Sequence, residues 1–273
     1  MALRFNLYSA GVLAPGIHSL ADLLDLRRTG RASATTVLEP PSPKVLPANE
    51  RRRASQVVRL ALACAEQALR TSPFPADLLR MVFASDEGTG EVCQQLLEAL
   101  ASTRQVSPLL FHNSVHNAPS GYFSIGYQNR QSGTSVSLGQ ETFASGLLCA
   151  ASEACTSGQP VLFLAYDPPM TEPMRTLLPV EYATASAWII ACDCEQEIRQ
   201  TAIASFEVSL HAPASLAAQA LPAWLPVAWA ANSSAQGLVA LALLDETQQQ
   251  ATCELRLGAL LLRVERVDRG VAC

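Results

Sequence analysis

The feature that most constrains the fold is an alternation of strand-like and helix-like segments through the first 165 residues. Short apolar runs such as RMVFASD at 80–86 are followed by amphipathic stretches such as EVCQQLLEALA at 91–101. This alternation predicts a layered α/β fold with a largely parallel sheet, because the helices connect strands that lie side by side. The continuous apolar run PVLFLAYD at 160–167 is typical of a strand buried on both faces. Residues 196–273 contain more strand-like segments, and their topology is not predicted.

The clearest helical pattern is NERRRASQVVRLALACAEQALR at 49–70. Apolar residues at helical spacing predict one core-facing side, made of Val57, Val58, Ala61, Leu62, Ala65, Ala68 and Leu69. Arg51–Arg53 fall at the amino-terminal end of this predicted helix, where the helix dipole disfavours cations. An acidic partner, neighbouring carboxylates or a plain solvated face would each explain them.

Composition limits the function classes. Apolar residues make up 49% of the chain and charged residues 16%, which indicates a large buried surface that can include a partner interface. The net charge of −5 argues against a general nucleic-acid binder. The apolar runs are too short to span a membrane and the first residues lack the apolar region of a signal peptide, so we expect a cytoplasmic protein.

Scattered cysteines within apolar segments indicate reduced, packed thiols in a reducing compartment, and they are Cys64, Cys93, Cys149, Cys155 and Cys192. Cys192 and Cys194 form the only close pair, with no second pair and no histidine nearby. We therefore expect no metal site there.

His112 and His116 are spaced i, i+4, which on a helix would place both on one face. A zinc site would need a third ligand and usually a glutamate, and HNSVH lacks the glutamate of a His-Glu-x-x-His motif. We favour the alternative in which these histidines cap a buried loop through hydrogen bonds.

The stretch SVSLGQETFASGL at 135–147 predicts a short strand, a tight turn at Gly139 and the start of a helix. Enzymes place nucleophiles at such turns because the helix amino terminus stabilises a thiolate or an oxyanion. This turn contains no cysteine and no Gly-x-Ser-x-Gly motif. Glu141 could act as a general base, but we favour a carboxylate that complements the helix dipole.

The order of these motifs resembles that of the β-ketoacyl synthases. In SPLLFHNSVHNAPSGYFSIGYQ at 107–128, the family's Asn…Gly…(Ser/Thr)-Ile pattern falls on Asn117, Gly121, Ser124 and Ile125. TSVSL resembles the strand before the family's nucleophile turn, and ASGLLCAASEACTSGQPVLFLAYD resembles the helix and strand after it. RRRASQVVRLALACAEQAL and RMVFASDEGTG are similar to earlier elements. The resemblance is collinear over residues 1–195. It implies a single thiolase-like domain over 1–273, with the amino-terminal half present and a reduced, strand-rich remainder at 196–273.

Two departures from the family bear on activity. The family's cysteine should fall at Thr142 when the strand is aligned with the family, at Glu141 when Gly158 is aligned, and at Phe143 when ASGL is aligned. Cys149 lies two turns further into the helix. The family's two carboxy-terminal histidines are not matched, because only His211 follows the turn. Condensation needs a thiolate and histidines, so the resemblance implies a pseudoenzyme without catalytic residues, metal or cofactor. The sequence is most similar to chain-length-factor subunits of that family, in particular those of aryl polyene biosynthesis.

The resemblance also implies partners and site residues. A catalytic ketosynthase would form a heterodimer with this chain and an acyl carrier protein would dock on it, with no nucleic acid and no membrane span. The interface strand would comprise Thr134, Ser135, Val136, Ser137 and Leu138. The residues lining the partner's tunnel would be Phe111, His112, Val115, His116, Asn117 and Phe123, and those contacting the carrier would be Arg51, Arg52 and Arg53.

Two alternatives remain open. The first is an autonomous acyl-thioester hydrolase or acyltransferase that uses Glu141 or Cys149 with His116. The second is an acyl-binding protein that never meets a ketosynthase.

Overall fold

The computed structural model describes residues 2–31, 37–39, 42–192, 196–213, 221–247 and 251–268. These residues form one eight-stranded sheet in the order β3-β2-β4-β5-β1-β6-β8-β7. The strands are β1 (Ala2–Leu13), β2 (Arg80–Ala84), β3 (Gly133–Val136), β4 (Val161–Asp167), β5 (Thr184–Ala191), β6 (Ala204–His211), β7 (Thr252–Leu257) and β8 (Leu260–Val267). The helices are α1 (Leu20–Thr29), α2 (Ala48–Arg53), α3 (Gln56–Leu69), α4 (Gly90–Ser102), α5 (Pro108–Asn113), α6 (Ala118–Tyr127), α7 (Thr142–Ser157), α8 (Gln196–Arg199) and α9 (Gln236–Leu241).

The α/β class is confirmed, but the prediction of a largely parallel sheet is wrong. Only the pairs β2–β3 and β2–β4 are parallel, and the other neighbouring strands pair antiparallel. Parallel pairing needs a long crossover, which α4–α6 and α7 provide. The connection from β4 to β5 contains only a short 3-10 turn at Met174–Thr176, so the chain folds back antiparallel.

The sheet is covered on both faces. On one face α7 packs against β4, whose Val161, Phe163 and Ala165 are buried there, while α1 packs against β1 and α9 against β5. On the other face α3 packs against β4, whose Leu162, Leu164 and Tyr166 are buried there, and α6 packs against β2. Every residue of β4 is therefore buried, which confirms the prediction from its continuous apolar run.

Two helices lie unusually close to the sheet because glycine leaves room for them. Strand β1 continues through Gly11, where a Cβ atom would stand 2.3 Å from the carbonyl oxygen of Cys64 on α3. A Cβ atom on Gly146 of α7 would stand 2.7 Å from the Cβ atom of Ala84 on β2. Gly11 therefore permits close packing of α3 against β1.

The predicted long helix at 49–70 is two helices. Helix α2 ends at Arg53, the next residue Ala54 is extended, and α3 starts at Gln56. Arg51–Arg53 therefore lie in the last turn of α2, where the helix dipole favours cations, and the prediction of an unfavourable position is wrong. The predicted core face of α3 is buried except for Leu69, which is partly buried.

Cys155 near the end of α7 and Cys192 directly after β5 are joined in a disulfide, with their Cα atoms 5.1 Å apart. The expectation that both are reduced thiols is wrong, because folding brings together residues that are 37 positions apart. Cys64 is buried and Cys149 is partly buried, as expected, whereas Cys93 is exposed. Cys194 lies outside the described residues.

The sheet curves around α7. Strands β3 and β7 lie at opposite ends of the strand order. Even so, the Glu141 side chain just after β3 accepts a 2.7 Å hydrogen bond from the backbone N–H of Gly258, just after β7. Helix α7 contacts both β2 and β7, so the two ends of the sheet approach each other across its amino terminus. None of the helices in the described ranges has the length and apolar character needed to cross a membrane.

Candidate functional site

The candidate site is the turn that connects β3 to α7, here called the β3–α7 turn (residues 137–141). Strand β3 is shorter than predicted and ends at Val136. Gly139 adopts φ 57°, in the left-handed region that glycine favours. The backbone N–H groups of Glu141 and Thr142 donate to the carbonyl oxygens of Leu138 and Gly139, each at 3.1 Å. The predicted strand, turn and helix are therefore present.

Thr142 has no hydroxyl free for chemistry. The residue is 1% exposed. Its Oγ1 donates to the carbonyl oxygen of Gly139 at 2.7 Å and accepts from the backbone N–H of Leu138 at 2.8 Å. The hydroxyl thus closes the turn from inside, in the manner of hydroxyl side chains that bond to nearby backbone.

Phe143 and Glu141 are also engaged in structural contacts. Phe143 is fully buried, with its ring centroid 5.5 Å from that of Phe163 and 6.3 Å from that of Trp188. Glu141 accepts the hydrogen bond from Gly258 and lies 3.6 Å from the guanidinium of Arg256. Its carboxylate stands at the amino-terminal cap of α7 but makes no side-chain cap bond. Glu141 fastens the β7–β8 connection to the β3–α7 turn, a role that the sequence did not reveal.

Cys149 and His116 are not arranged as a reactive pair. Burial, and then the negative charge of Glu153, raise the pKa of the Cys149 thiol, which disfavours the reactive thiolate. The Nε2 atom of His116 donates to the carbonyl oxygen of Ser85 at 2.8 Å, and its ring packs over Gly88. This confirms the loop-capping interpretation for His116.

The two histidines do not share a helix, because α5 ends at Asn113. The ring of His112 instead packs edge-on against Tyr122, with the centroids 6.1 Å apart. Among the described residues, no group of three or more histidine, cysteine, aspartate or glutamate side chains is placed to hold a metal ion.

Sequence reasoning missed an acidic cluster beside the turn, formed by Asp86, Glu87 and Asp167. Asp167 at the end of β4 is fully buried. One of its oxygens accepts from Ser85 Oγ at 2.8 Å and from the backbone N–H groups of Asp86 at 2.8 Å and Glu87 at 3.0 Å. The other oxygen accepts from Ser233 Oγ at 3.1 Å and from the backbone N–H of Ser234 at 3.3 Å. A single carboxylate thus joins β4 to two loops.

The cluster holds protons more tightly than exposed carboxyls do. Burial raises the pKa of Asp167 to about 6, although the hydrogen bonds that it accepts oppose this shift. Burial raises the pKa of Glu87 to about 8, helped by the charges of Asp167 and Asp86. Burial also raises the pKa of Asp86, while a hydrogen bond from the backbone N–H of Gly139 lowers it. This bond connects the cluster to the β3–α7 turn. In the sequence, this cluster could have been predicted from the aspartates that end RMVFASD and PVLFLAYD, which are Asp86 and Asp167.

The residues predicted to line the partner's tunnel divide into two groups. Phe111 is 67% exposed and Val115 is 48% exposed, His112 and Asn117 are exposed, and His116 is partly buried. Phe123 is fully buried, so its prediction as a tunnel residue is wrong. Helix α6 packs the Phe123 ring against Phe83 and Tyr127 in this chain's own core.

Strand β3 forms one edge of the sheet, with β2 as its neighbour on one side and no described strand on the other. Thr134, Ser135, Ser137 and Leu138 are exposed and Val136 is partly buried. An exposed edge offers unpaired backbone groups to a second chain.

Helices α4 and α5 also expose apolar side chains, here called the α4–α5 surface. Helix α4 buries only Val92 among its 13 residues. The exposed apolar residues are Leu97 at 60%, Leu100 at 48%, Leu109 at 41% and Phe111 at 67%. Clustered exposed apolar residues mark interaction surfaces more often than isolated ones do.

The fold and the β3–α7 turn define a protein of the ketosynthase-like, thiolase-type class. The chain belongs to the β-ketoacyl synthase family, since the model described as "Beta-ketoacyl synthase, N-terminal domain" matches residues 27–255. A comparison with curated proteins finds no match.

Several solved structures share this fold. One is the ketosynthase ApeO in complex with its chain length factor ApeC from Xenorhabdus doucetiae, with 20% identity, a TM-score of 0.73, and 97% of this chain and 100% of that chain covered. Another is the ishigamide ketosynthase/chain length factor, with 12% identity, a TM-score of 0.67, and coverage of 96% and 99%. A third is AntDE:AntF, a type II PKS acyl-carrier protein in complex with its ketosynthase, with 14% identity, a TM-score of 0.58, and coverage of 78% and 71%.

Proposed function

We propose that this chain is a non-catalytic subunit of chain-length-factor type, which pairs with an active β-ketoacyl-ACP synthase and shapes its acyl tunnel. The observation that carries the proposal is an exposed edge strand leading into a turn at which Glu141, Thr142 and Phe143 are each engaged in structural contacts. The scaffold of a nucleophile turn is present and the nucleophile is not. Two of the similar solved structures, each containing a ketosynthase and a chain length factor, support the same proposal.

The lack of a nucleophile follows from the local contacts. A condensing site needs a thiolate, and Thr142, Phe143 and Glu141 contain no thiol. The nearest cysteine along the chain, Cys149, has a raised thiol pKa. These contacts also count against the hydrolase and acyltransferase alternatives, because Glu141 is paired with Arg256 and Gly258, and His116 is bonded to Ser85.

The proposed interface combines the β3 edge with the α4–α5 surface. The edge provides backbone hydrogen bonds and the surface provides apolar area, the two contributions expected of a permanent interface. Phe111, His112, Val115 and Asn117 lie on or directly after α5 and would face the partner's tunnel, with His116 behind them. Bulky side chains there would limit the length of the product. We further propose that this product is of the aryl polyene type.

A carrier protein would approach α2. The side chains of Arg52 and Arg53 are exposed at its end, with Arg52 bonded to Asn49 at 2.6 Å and Arg53 lying 3.6 Å from Glu50. Such exposed local pairs are weak, so an acidic partner could compete for both guanidinium groups. The proposed setting is the cytoplasm.

The test is co-expression of this chain with a candidate catalytic ketosynthase, followed by mass and composition analysis of the purified species. We expect a 1:1 complex in which turnover depends on the partner's cysteine. A stable monomer that ignores the ketosynthase would overturn the proposal. Turnover of acyl thioesters by this chain alone, lost on Glu141→Gln or Cys149→Ala, would replace it with the autonomous enzyme.

A further inference from the structure

The Cys155–Cys192 disulfide has no role in the function proposed so far. It joins the last turn of α7 to the residue directly after β5, and it includes no residue of the β3 edge, the α4–α5 surface or α2. Disulfides of cytoplasmic proteins are usually transient and act in catalysis or redox sensing, because the thiols of that compartment reduce them. In the cytoplasmic setting proposed above, this disulfide would therefore meet thiols that can reduce it.

The two cysteines differ in their access to solvent. Cys155 is partly buried and is followed by the exposed residues Thr156 and Ser157 at the end of α7. Cys192 is only 5% exposed. The rate of thiol–disulfide exchange depends on which sulfur an incoming thiolate can reach. These exposures favour attack on the sulfur of Cys155.

The surroundings of the two sulfurs suit the reduced pair as well as the disulfide. Cys155 Sγ lies 3.2 Å and Cys192 Sγ lies 3.0 Å from the backbone carbonyl oxygen of Arg4 on β1. A thiol is a weak hydrogen-bond donor and a carbonyl oxygen has two lone pairs, so both thiols can donate to this oxygen after reduction. Reduction therefore requires no rearrangement to provide an acceptor for the new S–H groups.

The disulfide is one of two attachments that hold this end of α7. Glu153, two residues before Cys155, accepts from Arg80 Nε at 2.6 Å and from Ser132 Oγ at 2.9 Å. Arg80 begins β2 and Ser132 directly precedes β3. Breaking the disulfide leaves these polar contacts in place, so the end of α7 becomes looser while the fold is retained.

We propose that Cys155 and Cys192 are a reversible redox pair, in which low-molecular-weight thiols such as glutathione attack the sulfur of Cys155 and release α7 from the end of β5. This inference goes beyond the proposed function and rests on it only for the cytoplasmic setting.

The exchange takes place in two steps. In the first, an external thiolate forms a bond to the Cys155 sulfur and the bond between Cys155 and Cys192 breaks, so that Cys192 receives the electron pair and then a proton. In the second, another thiolate attacks the external sulfur of the mixed disulfide, and Cys155 leaves and takes up a proton. Two external thiols are oxidised to one disulfide, and the protein pair is reduced by two electrons.

The first test identifies the attacked sulfur. Cys192→Ser and Cys155→Ser each leave one member of the pair, in a background of Cys93→Ser, Cys194→Ser and Cys273→Ser that removes an exposed thiol and two outside the described residues. The folded variants are incubated with oxidised glutathione, and mass spectrometry with peptide mapping follows the mixed disulfide. We expect Cys155 to acquire glutathione at least about tenfold faster than Cys192, because reactivity follows exposure.

Equal rates, or a faster reaction at Cys192, would overturn the assignment of the attacked sulfur. If either variant fails to fold by circular dichroism, the same comparison is made on partly reduced wild-type protein, by mapping which cysteine carries glutathione.

The second test measures reversibility and its effect on α7. The full chain, or its complex with the ketosynthase if it purifies only in that form, is equilibrated in buffers of reduced and oxidised glutathione, and its thiols are trapped by alkylation. We expect the pair to convert to the dithiol and back with unchanged circular dichroism. Amide hydrogen exchange over residues 153–158 should be faster in the dithiol form.

Cys93→Ser is the matched control and should follow wild type, since Cys93 is a free cysteine outside the pair. The double variant Cys155→Ser, Cys192→Ser should show the fast exchange in every buffer. A disulfide that folded protein keeps in every buffer would overturn the redox pair, and reduction without faster exchange would overturn the release of α7. Neither readout depends on ketosynthase binding, so failure here is distinguishable from failure of the proposed function.

Discussion

At the scale of single residues, the β3–α7 turn is held by side-chain contacts where the family places chemistry. Thr142 closes the turn, Glu141 holds the β7–β8 connection and Asp86 accepts from Gly139. Each contact uses a polar side chain at or beside the turn. These three residues therefore stabilise the β3–α7 turn.

Thr142→Val tests the role of the hydroxyl. The substitution keeps the shape but leaves the Leu138 N–H and the Gly139 carbonyl without their side-chain partner, so we expect a loss of about 1–3 kcal/mol in the free energy of unfolding. Urea denaturation measures the change. Thr142→Ser, which keeps the hydroxyl, should lose clearly less, and equal losses in both variants would contradict the role.

Glu87→Gln tests the acidic cluster through pH. The pKa of Glu87 is raised from 4.5 to about 8, so the folded chain keeps a proton that the unfolded chain releases. This contribution to stability is complete below the unfolded pKa and is lost as the pH rises through the folded one. Stability should therefore fall across this window with a slope of up to about 1.4 kcal/mol per pH unit.

In Glu87→Gln this part of the decline should disappear, so that the variant gains stability over wild type toward about pH 8. Asp167, with its pKa near 6, should still contribute a decline at lower pH. Urea denaturation across the pH range measures both. Glu172→Gln, at an exposed carboxylate, is the control and should follow wild type. A variant with the wild-type pH slope would show that Glu87 titrates normally.

At the scale of elements, β3 is a strand with one side unpaired. Its register with β2 fixes which backbone groups are already used, since Met81 and Ser85 donate to the carbonyl oxygens of Ser132 and Val136. Backbone groups along a strand alternate in direction with period two. Those of Ser135 therefore point away from β2, toward the proposed partner.

Ser135→Pro should remove the outward N–H and leave the β2–β3 pairing in place. We expect the variant to fold alone as wild type does but to lose most of its complex with the ketosynthase, measured by co-purification yield and native mass. Ser135→Thr keeps the N–H and should retain the complex. Full complex formation by the proline variant would show that the edge is not the interface.

At the scale of the whole molecule, the basic end of α2 lies beside the α4–α5 surface. Asn113 at the end of α5 donates to the carbonyl oxygen of Arg53 at 3.1 Å, so the charged and apolar surfaces adjoin each other. A net charge of −5 would repel an acidic carrier protein, so a local basic site is needed for docking.

The triple variant Arg51→Glu, Arg52→Glu, Arg53→Glu should weaken carrier docking to the complex about tenfold at low salt and flatten its salt dependence. Calorimetry or surface plasmon resonance at several ionic strengths measures this. Arg130→Glu, at an exposed arginine outside α2, should change the affinity little. Docking of wild type that does not respond to salt would remove α2 from the proposal.

The sequence alone determined the parts of the fold that depend on neighbouring residues. Ser19 caps α1 by accepting from the Asp22 N–H, and Gly158 ends α7 in the left-handed conformation. The apolar run of β4 and the core face of α3 were also readable, because burial imposes a period on nearby positions. The β3–α7 turn and its lack of a cysteine could likewise be predicted from neighbouring residues.

Tertiary structure decided everything that joins distant positions. The Asp167 network links residues 82 positions apart, the Cys155–Cys192 disulfide 37, and the Glu141–Gly258 bond 117. Phe123 is buried in the core, and Gly11 contacts α3, only because the helices pack against the sheet. The physical reason is that local patterns record whether a residue is buried but not against what, since a partner far along the chain is selected by the fold as a whole.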